Sequence, residues 1–169
     1  MYLFSNDGFN KPPIFYILDI VCMMLQNHPT FYTAMWAIMK IGAIPSFINT
    51  NLQGDALLHC LTVSKTRIFL FDPMYEQQVG TIEDKARASG ASLYAFGEAT
   101  EYDGEYTNPL APALTPKALS TYPDNDTSES LIKGVGLEEP AWLIYTSGTT
   151  GLPKLSVIYL MPIKASSKC

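Results

Sequence analysis

A chain of 169 residues with 47% hydrophobic and 16% charged residues is long enough to bury one core and too apolar to remain disordered. Its net charge of −5 excludes a nucleic-acid binder, because binding a phosphate backbone requires a basic field. Three scattered cysteines, Cys22, Cys60 and Cys169, exclude a disulfide framework or a zinc cluster and read as free thiols.

Residues 1–18 form a leader with no basic segment ahead of an apolar one, so they do not read as a signal peptide. The run IFYILDIVCMMLQ predicts a buried strand from Asp19 to Leu25. Asn27 is placed to cap a helix and Pro29 suits its first turn, where a missing N–H costs nothing. Helical spacing of Phe31, Met35, Ile38 and Met39 then runs to Ile41, with Trp36 adding bulk and Gly42 as the stop. AIPSFI reads as a strand with Pro45 at its beginning or on an edge. The longest apolar stretch, 31–48, is interrupted by Lys40, Gly42 and Pro45. It falls short of the roughly 20 apolar residues that a transmembrane helix needs.

DALLHCLTVSK predicts a second helix with Leu57, Leu58 and Leu61 inward. RIFLFD is a buried strand, PMYEQQVGTIEDKARAS a third helix ended by Gly90, and ASLYAF a fourth strand. This alternation over 19–96 specifies an α/β subdomain with a mostly parallel sheet. Residues 97–140 break the pattern with five prolines, nine acidic residues and two basic ones. Such a composition describes a loop or linker. AWLIYT resumes as a strand within 141–154, which ends in a loop of hydroxyls and glycines, and 155–169 form a divergent tail.

That loop is the one stretch whose composition points to a ligand. Gly148 and Gly151 let backbone approach an anion, and successive small residues can aim their N–H groups at phosphate oxygens. Thr146, Ser147, Thr149 and Thr150 add four hydroxyls, and Lys154 adds a positive charge behind Pro153. The spacing is not that of a Walker A loop: the lysine comes three positions after the second glycine, and Leu155 stands where a magnesium-binding hydroxyl would be. A surface turn of small polar residues is the bland alternative.

The whole string YTSGTTGLPK, Tyr145 to Lys154, resembles the phosphate-binding motif of the AMP-forming adenylating enzymes. The stretch from Met24 to Asp72, with INTNL followed by LLHC, is similar to their fatty-acid transport protein, or very-long-chain acyl-CoA synthetase, branch. The resemblance spans about Asp19 to Lys154 and implies the N-terminal part of an adenylate-forming fold. It implies ATP with Mg2+, coenzyme A as co-substrate, and a long- or very-long-chain fatty acid as partner. Carried over by position, Thr146, Ser147, Gly148, Thr149, Thr150 and Gly151 would wrap the β- and γ-phosphates. Lys154 would hold the departing pyrophosphate, and Tyr145 would belong to the strand that aims the loop.

The family's adenine- and acyl-binding segments and its acidic magnesium and ribose ligands follow that motif, so the chain reads as a truncated portion that does not catalyse adenylation by itself. A non-catalytic nucleotide-binding or interaction module and an unstable fragment are the alternatives. An endoplasmic reticulum, peroxisome or lipid-droplet location follows from the family alone. His59 and Cys60 adjoin on one helix and point about 100° apart, which suits packing rather than a catalytic pair. Met23, Met24, Met35 and Met39 read as core filling, and so do Phe31, Tyr32 and Trp36, although part of that aromatic surface could stay uncovered.

Overall fold

The computed structural model describes residues 18–97, 110–121, 135–136, 138–147 and 151–159. One seven-stranded sheet organises them. Its strands are β1 (Ile20–Met24), β2 (Ile44–Phe47), β3 (Ile68–Phe71), β4 (Ser92–Phe96), β5 (Ala113–Leu114), β6 (Pro140–Thr146) and β7 (Lys154–Tyr159). Their order across the sheet is β5-β4-β3-β1-β2-β6-β7. Every pairing is parallel except that of β6 with β7, which form an antiparallel hairpin.

The helices are α1 (Pro29–Lys40), α2 (Gly54–Ser64), α3 (Glu76–Gly80), α4 (Glu83–Ala88) and α5 (Pro116–Leu119). They cover both faces of the sheet, and β1 shows why its sequence is apolar without alternation. Its Val21 and Met23 pack with Ala34, Ile38 and Ile41 of and just beyond α1. Cys22 and Met24, pointing the other way, pack with Leu57, Cys60 and Leu61 of α2 and with Val79 and Ala86 of α3 and α4. β3 is buried along its whole length, and Phe69 and Phe71 are fully enclosed.

Several local expectations shift. The cap of α1 is His28, whose Nδ1 faces the Thr30 amide at 3.4 Å. Pro29 takes the first helical position and holds the residue before it in extended backbone, so the cap moves one place past Asn27. Pro45 sits inside the sheet but at the start of its strand. The Ile44 and Ile48 amides donate to β1, which turns the Pro45 nitrogen toward β6. The β2–β6 ladder begins only at Ser46, so no bond is lost.

The third helix is broken into a 3-10 turn (Pro73–Tyr75), α3 and α4, with the break at Thr81–Ile82. Part of the presumed linker is structured, since β5 pairs with β4 and buries Leu114. Residues 155–159 of the tail belong to strand β7. Met23 and Met24 fill the core, whereas Tyr32 and Trp36 lie on the outer side of α1, 48% and 64% exposed. Cys22 and Cys60 are buried free thiols. Residues 1–17, 160–169 and the loop centre Gly148–Thr150 lie outside the described residues, as does Cys169.

Candidate nucleotide-phosphate site

β6 runs parallel to β2, so its carboxyl end lies on the same edge of the sheet as those of β1, β2 and β3. That edge is where open α/β sheets bind ligands. Strand order reverses at β1, but the Gly/Ser/Thr loop leaves the sheet on the far side of β2, from β6. The loop is the connection of the β6–β7 hairpin, whose ladder closes at Thr146↔Lys154.

Of the residues expected to hold phosphate, Thr146, Ser147, Gly151 and Lys154 are described. Gly148, Thr149 and Thr150 are not. The hairpin brings Thr146 and Lys154 side by side, and all four described residues are exposed. Thr146 is less free than its sequence position suggests. Its hydroxyl donates to the Lys154 carbonyl at 3.4 Å, a long bond that an anion could displace. Gly151 has φ +89°, a backbone state that side chains rarely adopt, and a Cβ placed there would meet no atom within 4 Å. Its glycine is therefore required by the turn, while the space beside it is open. Lys154 opens β7 instead of ending a loop, so its backbone is fixed by the ladder from Thr146 onward.

Beneath the loop lies a buried polar network that the sequence did not announce. The Tyr145 hydroxyl donates to the Cys60 carbonyl at 2.9 Å, and lies 3.0 Å from Ser46 Oγ and 3.8 Å from Cys22 Sγ. Ser64 Oγ also donates to the Cys60 carbonyl, at 2.8 Å, and lies 3.4 Å from Cys22 Sγ. Four elements, β1, β2, α2 and β6, thus meet at one phenol. Burial, and secondarily the adjacent Cys22 thiol, drive the Tyr145 hydroxyl well above its ordinary pKa of 10.0. The same two causes push the Cys60 thiol up to about 12. Both groups stay neutral near pH 7, as a network of shared protons needs.

His59 is the other unannounced member. Its Nε2 lies 3.1 Å from the Pro153 carbonyl. A carbonyl only accepts, so Nε2 carries the proton and donates it. The sequence assigned His59 and Cys60 to packing. Cys60 does pack, but its carbonyl and the neighbouring imidazole both reach the hairpin. Among the described residues no group of three or more His, Cys, Asp or Glu side chains could hold a metal ion, and no helix is long and apolar enough to cross a membrane.

The profile of one protein family, described as AMP-binding enzyme, matches residues 18–159. Long-chain fatty acid transport protein 6 of Homo sapiens is 27% identical over 149 residues, which cover 88% of this chain and 23% of that protein. A medium/long-chain-fatty-acid–CoA ligase of Mycobacterium tuberculosis is 31% identical over 141 residues, covering 83% of this chain and 20% of the ligase. The chain thus spans less than a quarter of the length of these relatives. In three dimensions it is similar to an anthranilate CoA ligase solved with anthranoyl-AMP, with a TM-score of 0.68 at 19% identity. That likeness covers 86% of this chain and 26% of the ligase, and it concerns the fold.

Proposed function

The chain belongs to the AMP-binding enzyme family, and on that premise we propose that its β6–β7 loop binds the β- and γ-phosphates of ATP for activation of a long- or very-long-chain fatty acid. The observation that carries this reading is the hairpin itself. It presents exposed hydroxyls, a positive-φ glycine with open space beside it and Lys154, all at the carboxyl edge of a parallel sheet. The acyl length follows the relatives named as fatty acid transport proteins.

In the reaction proposed for the family, the fatty acid carboxylate attacks the α-phosphorus. A carboxyl-oxygen to phosphorus bond forms as the bond to pyrophosphate breaks, leaving an acyl-adenylate that the thiol of coenzyme A then cleaves with loss of AMP. Negative charge grows on the departing pyrophosphate. Donors already aimed at it favour that moment over the ground state. Among the described residues, Thr146, Ser147 and the Lys154 ammonium are proposed for that role. Magnesium would arrive with the triphosphate and neutralise part of its charge. The described residues supply no acidic cluster for it.

The 169-residue polypeptide is proposed to bind ATP without completing this cycle, since it corresponds to less than a quarter of such enzymes. Titration calorimetry of the chain with ATP tests the first part. Lys154→Ala is expected to weaken binding by about tenfold or more, the usual worth of a charged hydrogen bond. Equal affinity of the two proteins overturns the assignment. Pyrophosphate release with ATP, magnesium and a long-chain acid tests the second part, and steady turnover would contradict it.

A further inference from the structure

We infer that α2 is a clamp that sets the position of the phosphate loop, gripping its entry arm through the Tyr145 hydroxyl and its exit arm through His59. The inference rests on the ATP reading above and adds two positioning residues to it. Residues 59 and 60 are adjacent on α2, yet each reaches a different arm of the hairpin. The Cys60 carbonyl accepts from Tyr145, the residue just before Thr146, at 2.9 Å. His59 Nε2 donates to the carbonyl of Pro153, the residue just before Lys154, at 3.1 Å.

The β6–β7 ladder holds the two arms to each other at Thr146↔Lys154, and the α2 bonds hold them to the core. Leu152 is exposed and a Cβ added at Gly151 would meet no atom within 4 Å, so among the described residues no apolar side chain packs against the loop there. A glycine-rich loop without an anchor samples many states, and each must be lost when a ligand binds. Two bonds to a packed helix remove much of that cost beforehand. The exit bond also has a directional effect. The peptide joining Pro153 to Lys154 is planar, so holding the Pro153 carbonyl toward α2 turns the Lys154 amide the opposite way and fixes where its side chain begins.

The two grips differ in chemistry. The phenol is buried and linked to Ser46 and Cys22, which makes the entry grip part of the core. His59 is only partly buried and bonds the hairpin alone at this point. His59 is therefore the residue whose loss separates loop positioning from folding.

The full 169-residue chain is compared with His59→Ala, His59→Gln, Tyr145→Phe and Lys154→Ala. Calorimetry gives ATP affinity, amide exchange by NMR gives loop order without ligand, and melting gives stability. His59→Ala is expected to weaken ATP binding about fivefold, the worth of one hydrogen bond, with faster exchange at Gly151 and Leu152 and little change in Tm. His59→Gln places an amide N–H where Nε2 stood and is expected to restore both readouts. Tyr145→Phe should weaken binding and also lower Tm. Unchanged affinity and exchange in His59→Ala, beside a weakened Lys154→Ala, overturn the clamp and leave the ATP reading intact. Failure of His59→Gln to restore either readout, with Tm lowered in both His59 variants, overturns it as well by making His59 an ordinary packing residue. If the wild-type chain binds no ATP, the ATP reading falls, and unchanged exchange in His59→Ala then removes the clamp too.

Discussion

Cys60 makes two contributions with one residue: its side chain fills the core and its carbonyl ties down β6. The thiol's pKa is raised from an ordinary 9.0 to about 12 by burial and then by Cys22. An acid whose folded pKa lies above its unfolded one holds its proton longer in the folded state. Its stabilising effect is therefore complete below pH 9.0 and is lost as pH rises toward 12. Tyr145 is shifted in the same direction, so both groups act together. The urea midpoint is expected to stay level up to about pH 9 and to fall above it, and Cys60→Ala should flatten part of that fall. A midpoint that rises between pH 9 and 11 would contradict the raised pKa. The loop's turn at Gly151 was legible because a glycine's backbone freedom acts where it stands in sequence. Its supports were not. Tyr145 meets Cys60 across 85 residues and His59 meets Pro153 across 94, and no local pattern encodes such meetings.

Among the elements, legibility followed burial. The strands β1 to β4 and β6 could be read because sheets covered on both faces leave apolar runs with few interruptions. β5 could not, since Ala113 and Leu114 are two residues between prolines and owe their strand form to β4 beside them. β7 carries Val157, Ile158 and Tyr159, a short run that owes its strand form to antiparallel pairing with β6. One helix end departs from local preference. α2 closes on Lys65 at φ 55°, ψ 42°, a left-handed conformation that suits glycine. The side chain is exposed, so it gains nothing in packing to offset this. Lys65→Gly is expected to stabilise the chain by about 1 kcal/mol, read as a higher urea midpoint with unchanged slope. A lower midpoint would mean that the lysine is held by something other than its backbone.

The molecule as a whole depends on β1 and β3, which stand at the centre of the order and face covered layers on both sides. Phe69 and Phe71 sit fully enclosed in that centre with ring centroids 5.8 Å apart. Phe69→Ala is expected to cost about 3–5 kcal/mol, much of the stability of an ordinary domain. Circular dichroism should show a wild-type chain that melts in one cooperative step and a variant that is largely unfolded at 37 °C. A variant with near-native Tm would show that the sheet centre is not the stabilising core.

The hairpin that carries the loop stands far from β2 in sequence and joins this centre by a narrow seam. It pairs with β2 at only two positions, Ser46↔Leu143 and Phe47↔Ile144, while its own two strands pair at six. Ser46 and Tyr145 stand 99 residues apart, so docking the hairpin closes a long loop whose entropy is lost before any contact repays it. The order of assembly follows. The β1–β4 core has nearby partners and forms first; the hairpin folds on itself and is added afterwards. In pulse-labelled refolding, β1 and β3 amides should gain protection ahead of Leu143 and Ile144. A hairpin that docks last also has the means to detach first, and the ligand proposed for its loop would then act on that final step alone.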